Sequence, residues 1–108
     1  MSDFVAVAKA NEIEEDVVKV VRVGDAPIGV TKIDGEFFAF ADVCTHDDGP
    51  VAEGDLDDYI IECPRHGAKF DIRSGKVTQL PAVAPIPVYA VKVEGDTVLV
   101  SKKPTSMM

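Results

Sequence analysis

Every cysteine and every histidine in this sequence falls in one of two short clusters, Cys44-Thr45-His46 and Cys63-Pro64-Arg65-His66, with sixteen residues between them. A chain of 108 residues with two Cys and two His grouped in this way carries one full ligand set for a metal centre and no donor for a second. If those four side chains share a centre, the fold must bring two loops face to face on a frame stiff enough to hold them. That requirement constrains the architecture more than any bulk property of the chain.

Thiolates with imidazoles suit zinc or iron–sulfur chemistry, whereas magnesium and calcium sites use carboxylate and carbonyl oxygens. Pro64 and Gly67 around the second pair, and Gly49-Pro50 after the first, favour tight and stiff loops. Structural zinc sites of the Cys₂His₂ type place both cysteines in one pair and both histidines in the other. Here each pair is mixed. A mixed pair makes sense where each loop gives its thiolate to one iron and its imidazole to a second iron of a shared cluster. A zinc-stabilised interaction module stays open at this point. The colour of the aerobically purified protein separates the two: brown and bleached by dithionite for a cluster, colourless for zinc.

The length suits a single domain with one modest core, here taken as residues 1–108. A hydrophobic content of 46% with 28% charged residues is ordinary for a soluble globular chain. No apolar run approaches the roughly eighteen residues of a membrane span, and Met1-Ser2-Asp3-Phe4 lacks the features of a secretory leader. The expectation is a cytoplasmic monomer with no membrane association, in a reducing compartment that favours metal ligation over a disulfide. The net charge of −8 argues against nucleic acid and anionic membranes as partners. Eight acidic residues and no Lys or Arg lie from Asp42 to Glu62, and the sign then reverses with Arg65, Lys69, Arg73 and Lys76. Such a run is either a solvated surface or a docking face that orients a protein partner.

Short β-rich runs separated by turn signals recur along the whole chain, without a helical period. Strands are expected over Asp16–Val23, Ile28–Ile33, Glu36–Asp42, Tyr59–Glu62, Lys69–Arg73, Lys76–Gln79, Val88–Val93 and Thr97–Val100. Asp34-Gly35 reads as a two-residue type I′ hairpin turn, and Ser74-Gly75 and Glu94-Gly95-Asp96 as further turns. Asn11–Asp16 has room for one helical turn at most. Prolines 81, 85, 87 and 104 mark irregular connections, and residues 103–108 read as a flexible tail. The fold class is therefore all-β: a small antiparallel sandwich or barrel with a two-loop metal-binding subdomain, about 42–81, inserted between outer strands. Tyr59, Phe37, Phe38, Phe40 and Phe70 are expected to pack the core rather than relay electrons.

Cys44-x-His46, a spacer of sixteen, and Cys63-Pro64-Arg65-His66-Gly67-Ala68-Lys69-Phe70-Asp71 together resemble the motif of Rieske [2Fe–2S] proteins, in their soluble ferredoxin branch. The downstream pattern Leu80-Pro81-Ala82, Pro85, Tyr89, Val91, Val93 and Gly95-Asp96 is similar as well, so the resemblance spans nearly the whole chain. It implies one [2Fe–2S] cluster with Cys44, His46, Cys63 and His66 as metal and cofactor ligands, in a protein that carries electrons and has no catalytic residues. Neutral imidazoles in place of two thiolates raise the potential relative to a four-Cys cluster.

High-potential members of the family have a disulfide between the cluster loops, a membrane anchor, and a Ser and a Tyr that donate hydrogen bonds to sulfur. This chain has no further cysteines, and Ala68 and Phe70 stand where those hydroxyls would be. The resemblance therefore implies a potential near the bottom of the Rieske range, about −150 mV. An oxygenase would also need two more His for a mononuclear iron, and there are none. The implied role is that of the ferredoxin component of a bacterial ring-hydroxylating dioxygenase system, with a flavin-dependent ferredoxin reductase as donor and a terminal oxygenase as acceptor. The alternative within the family is a small Rieske subunit of a nitrite reductase-like complex.

Since no other Cys or His can replace a lost ligand, Cys44→Ser and His66→Ala are each expected to drop iron and acid-labile sulfide to well under half of the wild-type content. Full retention of two irons and two sulfides in either variant would show the ligand set to be wrong.

Overall fold

The computed structural model describes residues 4–24, 26–43, 51, 54–63, 67–79 and 86–104. Among them there is no α-helix, only a single 3₁₀ turn at Ala10–Glu12. The strands are β1 (Phe4–Lys9), β2 (Lys19–Val23), β3 (Ala26–Ile33), β4 (Glu36–Ala41), β5 (Leu56–Asp57), β6 (Ile60–Glu62), β7 (Lys69–Asp71), β8 (Val77–Gln79), β9 (Val88–Glu94) and β10 (Thr97–Pro104). Six form an antiparallel sheet in the order β1-β10-β9-β4-β3-β2. Its two edge strands, β1 and β2, come into contact, so the sheet curls into a nearly closed barrel. The remaining four form a smaller meander, β5-β6-β7-β8.

The hairpin turns follow the local chemistry. Asp34 and Gly35 both take positive φ, +53° and +83°, as a type I′ turn requires, and β3 and β4 pair in unbroken register from Ile28↔Ala41 to Ile33↔Glu36. Strand β2 starts later than the sequence suggests. Asp16 sits at φ +62° and its N–H donates to the Lys32 carbonyl (2.8 Å), so the chain bends there and the ladder begins only at Lys19. At the other end, β10 runs on through Pro104, opposite Tyr89 beyond a break in register, so residues 103 and 104 of the expected tail belong to the sheet. Residues 105–108 lie outside the described residues, as do Pro81 and Pro85.

Strand β4, Glu-Phe-Phe-Ala-Phe-Ala, lacks the apolar–polar alternation of a one-sided strand because both of its faces are covered. Phe37 and Ala39 face a core inside the barrel with Ile28, Val30, Val98 and Val100. Phe38 and Phe40 face a second core, with Val51, Ile61, Phe70, Ile72, Ile86 and Val88, that fills the space between the two sheets. Burying one such side chain contributes about 1.5–3 kcal/mol, so this second core is what seats the small sheet on the barrel.

The small sheet is an insertion between two neighbouring strands. The chain leaves the barrel at Ala41 and re-enters at Val88, and Phe40 pairs directly with Val88. The Ala41 N–H donates to the Pro87 carbonyl (2.9 Å), which ties the two crossings together. The far end is anchored at Gly75, in the turn between β7 and β8. Its N–H donates to the Asp71 carbonyl (2.7 Å) and its own carbonyl accepts the Ile86 N–H (2.9 Å). Gly75 has φ +82°, and a Cβ there would collide with the Ile86 carbonyl oxygen.

Gly75→Ala is therefore expected to destabilise the protein by about 2–3 kcal/mol, combining left-handed strain with a backbone clash. Gly95→Ala has φ +63° but meets nothing within 4 Å, and should cost about 1 kcal/mol. Thermal unfolding of the two variants should show at least a twofold difference in the fall of Tm; equal falls would mean that the Gly75–Ile86 contact yields easily.

Candidate metal centre

Cys63 is the member of the proposed ligand set that the structure describes; Cys44, His46 and His66 lie outside the described residues. It directly follows β6, and its N–H donates to the Ala68 carbonyl (2.7 Å) while its own carbonyl accepts the Gly67 N–H (3.1 Å). Gly67 takes φ +76°, the left-handed conformation that closes such a turn without strain. Cys63 on one side and Gly67-Ala68 on the other are thus bonded to each other where the chain passes from β6 to β7; Pro64 lies outside the described residues. The Cys63 thiol is free and only 1% exposed. Ala68, Phe70 and Val51, each fully buried, belong to the same core.

The two residues before Cys44 are described, and so is Val51 on the far side of that pair. The Asp42 N–H donates to the Pro27 carbonyl (2.9 Å), which fixes it to the start of β3. The Asp42 carboxylate accepts the N–H of Val51 through Oδ1 (2.8 Å). The segment that carries Cys44 and His46 therefore starts and finishes at one place, against the core that contains Cys63.

The aromatics behave as packing groups. Phe40 and Phe70 are fully buried, and Phe38 meets Tyr59 edge to face at 5.5 Å against the inter-sheet core. Arg73 lies over the Tyr59 ring at 4.2 Å and grips Asp71 with two side-chain hydrogen bonds, Nε to Oδ1 (3.1 Å) and Nη2 to Oδ2 (2.8 Å). These bonds hold the Asp71 carboxyl below its ordinary range and raise the Arg73 guanidinium. Because Asp71 is depressed, the stabilisation it gives is present above the ordinary carboxylate pKa and is lost as pH falls through its lowered value.

The outward face of the small sheet has a different character. Asp55, Asp57, Ile60, Glu62, Lys69 and Thr78 line a concavity of about 470 Å³, in which three carboxylates face one ammonium. Asp55, Asp57 and Asp58 are exposed. Part of the expected acidic stretch is therefore a continuous surface; Asp47, Asp48 and Glu53 lie outside the described residues.

The model of the Rieske [2Fe–2S] domain matches residues 3–90. The chain belongs to the Rieske [2Fe–2S] domain family. The ferredoxin component of biphenyl 2,3-dioxygenase from Rhodococcus jostii (strain RHA1) is 49% identical over 77 residues, covering 71% of this chain and 72% of that protein. Ferredoxin CarAc from Metapseudomonas resinovorans is 34% identical over 93% of this chain and 95% of its own length. Among solved structures, a complex of reduced oxygenase and oxidized ferredoxin in carbazole 1,9a-dioxygenase includes a chain that superimposes with a TM-score of 0.90 at 31% identity, covering 99% of this chain and 100% of that one.

As a Rieske domain, the chain has one [2Fe–2S] cluster as its cofactor, which leaves no place for the zinc alternative. The residues fit that group: two thiols and two imidazoles in mixed pairs, a free buried cysteine directly after β6, and an apolar wall beside it. Ala68 and Phe70 are both fully buried, so the wall next to Cys63 offers hydrocarbon where the high-potential branch has hydroxyls.

Ala68→Ser combined with Phe70→Tyr is therefore expected to raise the potential. A hydrogen bond to a charged acceptor is worth roughly 1.5–3 kcal/mol, and only the difference between oxidised and reduced states moves the potential. Taking about 1 kcal/mol per donor, and about 59 mV per 1.4 kcal/mol for one electron, the pair should shift it up by roughly 80 mV. Voltammetry of the variant and the wild type at one pH measures this, and an intact cluster with no upward shift would sink the hydroxyl argument.

Proposed function

We propose that this protein is the mobile one-electron carrier of an aromatic-ring dioxygenase system, taking electrons from a flavin-dependent ferredoxin reductase and delivering them to a terminal oxygenase. In this reading it works as a monomer in the cytoplasm, and Cys44, His46, Cys63 and His66 hold the cluster, with one Cys and one His from each loop. The supporting observation is the end-to-end likeness to the ferredoxin chain seen with its oxygenase in the carbazole 1,9a-dioxygenase complex. The relatives are ferredoxin components, that is, electron-transfer subunits rather than enzymes. A fixed subunit of a nitrite reductase-like complex is not favoured by them. No helix among the described residues is long and apolar enough to cross a membrane.

The bound cluster supplies reversible uptake of one electron, and the rest is the work of the chain's own side chains. The inter-sheet core buries Cys63 and Ala68 and so excludes water from the Cys63 side. Two histidines exhaust the supply, so the chain has no residues for a mononuclear iron and no oxygen chemistry of its own. The acidic face formed by Asp55, Asp57 and Glu62 on the small sheet suits a partner with basic side chains. Transient docking through charge gives fast encounter without tight binding, as a shuttle needs.

The decisive experiment is reconstitution: NADH-dependent turnover of a dioxygenase with its reductase should depend on this protein and stop when it is left out. Raising salt from about 0.1 M to about 1 M shrinks the Debye length from about 10 Å to about 3 Å, and the rate of electron transfer should fall across that range. Asp55→Asn with Asp57→Asn should flatten the dependence. A rate indifferent to salt in the wild type would rule out electrostatic docking on this face.

A further inference from the structure

Among the described residues, different bonds stand beside the two proposed ligand pairs. Beside the second they are backbone bonds, the Cys63 N–H on the Ala68 carbonyl and the Gly67 N–H on the Cys63 carbonyl. Beside the first, a side chain takes part: the Asp42 carboxylate accepts the N–H of Val51 at 2.8 Å across nine positions of sequence. Val51 is fully buried, so its N–H has no access to water and depends on that acceptor. Asp42 is itself fixed, because its N–H donates to Pro27 at the start of β3 while the neighbouring Ala41 donates to Pro87.

From this bond we infer that Asp42 is a positioning residue for the metal centre: its carboxylate clasps Val51 across the stretch of sequence that contains Cys44 and His46, and sets how firmly the cluster is retained. The inference rests on the proposal that Cys44 and His46 are ligands. What the clasp requires is an acceptor oxygen at the right place and not a negative charge. Asparagine, with an amide oxygen at the same distance from the backbone, therefore replaces aspartate; alanine, with no oxygen, does not. Glutamate keeps the charge but moves the oxygen by one methylene.

The test uses the holoprotein and three variants, Asp42→Asn, Asp42→Ala and Asp42→Glu, with Cys44→Ser beside them. Each is challenged with an iron chelator, and loss of the visible absorbance is followed in time, with visible circular dichroism as the signature of cluster surroundings. Asp42→Ala should lose its cluster about tenfold faster than wild type, equivalent to about 1.4 kcal/mol, with an altered dichroism. Asp42→Asn should stay within about twofold of wild type with an unchanged spectrum. That rescue is what a general loss of stability from removing an acidic residue would not show. Asp42→Glu should also lose the cluster faster, and it carries the test if the alanine variant does not fold. A wild-type rate in Asp42→Ala or Asp42→Glu overturns the clasp, as does an asparagine variant that fails alongside alanine. Full iron in Cys44→Ser instead overturns the ligand reading on which the clasp depends.

Discussion

Much of this structure depends on one strand having both faces buried. In β4 the odd positions Phe37 and Ala39 close the barrel, and the even positions Phe38 and Phe40 receive the small sheet. A sheet with one wet face could carry an insertion only as a floppy appendage. Here the insertion is packed against the outside of the barrel by a core of its own, which includes Cys63. Since Phe40 is paired to Gly29 on one side and Val88 on the other, barrel register and placement of the small sheet that leads into Cys63 are one constraint. A one-residue slip at β4 would exchange the two cores and turn the phenylalanines away from the small sheet.

The parts of the fold legible in the sequence are those set by local chemistry. Asp34-Gly35 fixes a hairpin, and apolar runs between turns mark β3, β4, β6, β7, β9 and β10 to within a few residues. The misses have a common cause. Strand β1 is paired with β10, from the opposite end of the chain, and nothing in Phe4–Lys9 itself announces that partner. Strand β5 is two residues in an acidic stretch and owes its existence to Leu56 and Asp57 lying opposite Ile61 and Ile60 after a turn through Asp58 at φ +53°. The late start of β2 reflects a hydrogen bond from Asp16 to the distant Lys32. In each case a tertiary contact overrides a weak local signal.

The metal centre shows the same division. Its cofactor was legible because Cys and His are scarce and their spacing is specific, and the family match agrees with the cofactor so inferred. Its supporting wall was not, because Val51, Ile61 and Ile86 come from three separate stretches and share no motif. Asp42 reads in the sequence as the first member of an acidic run and in the structure as a backbone acceptor.

That contrast bears on what a run of like charges means. The acidic residues from 42 to 62 look equivalent in sequence, yet the described ones do unlike things. Asp42 is spent on a buried amide, while Asp55 and Asp57 stand exposed on the face of the small sheet and Glu62 reaches half-buried toward Gly67. Asp71, just beyond the run, is neutralised by the guanidinium of Arg73. A field that orients a partner arises only from the carboxylates left facing solvent, so net charge overstates it. The carboxylates exposed on the small sheet and the one bonded to Val51 do separate physical work, so a substitution at Asp55 or Asp57 leaves the Asp42–Val51 bond in place.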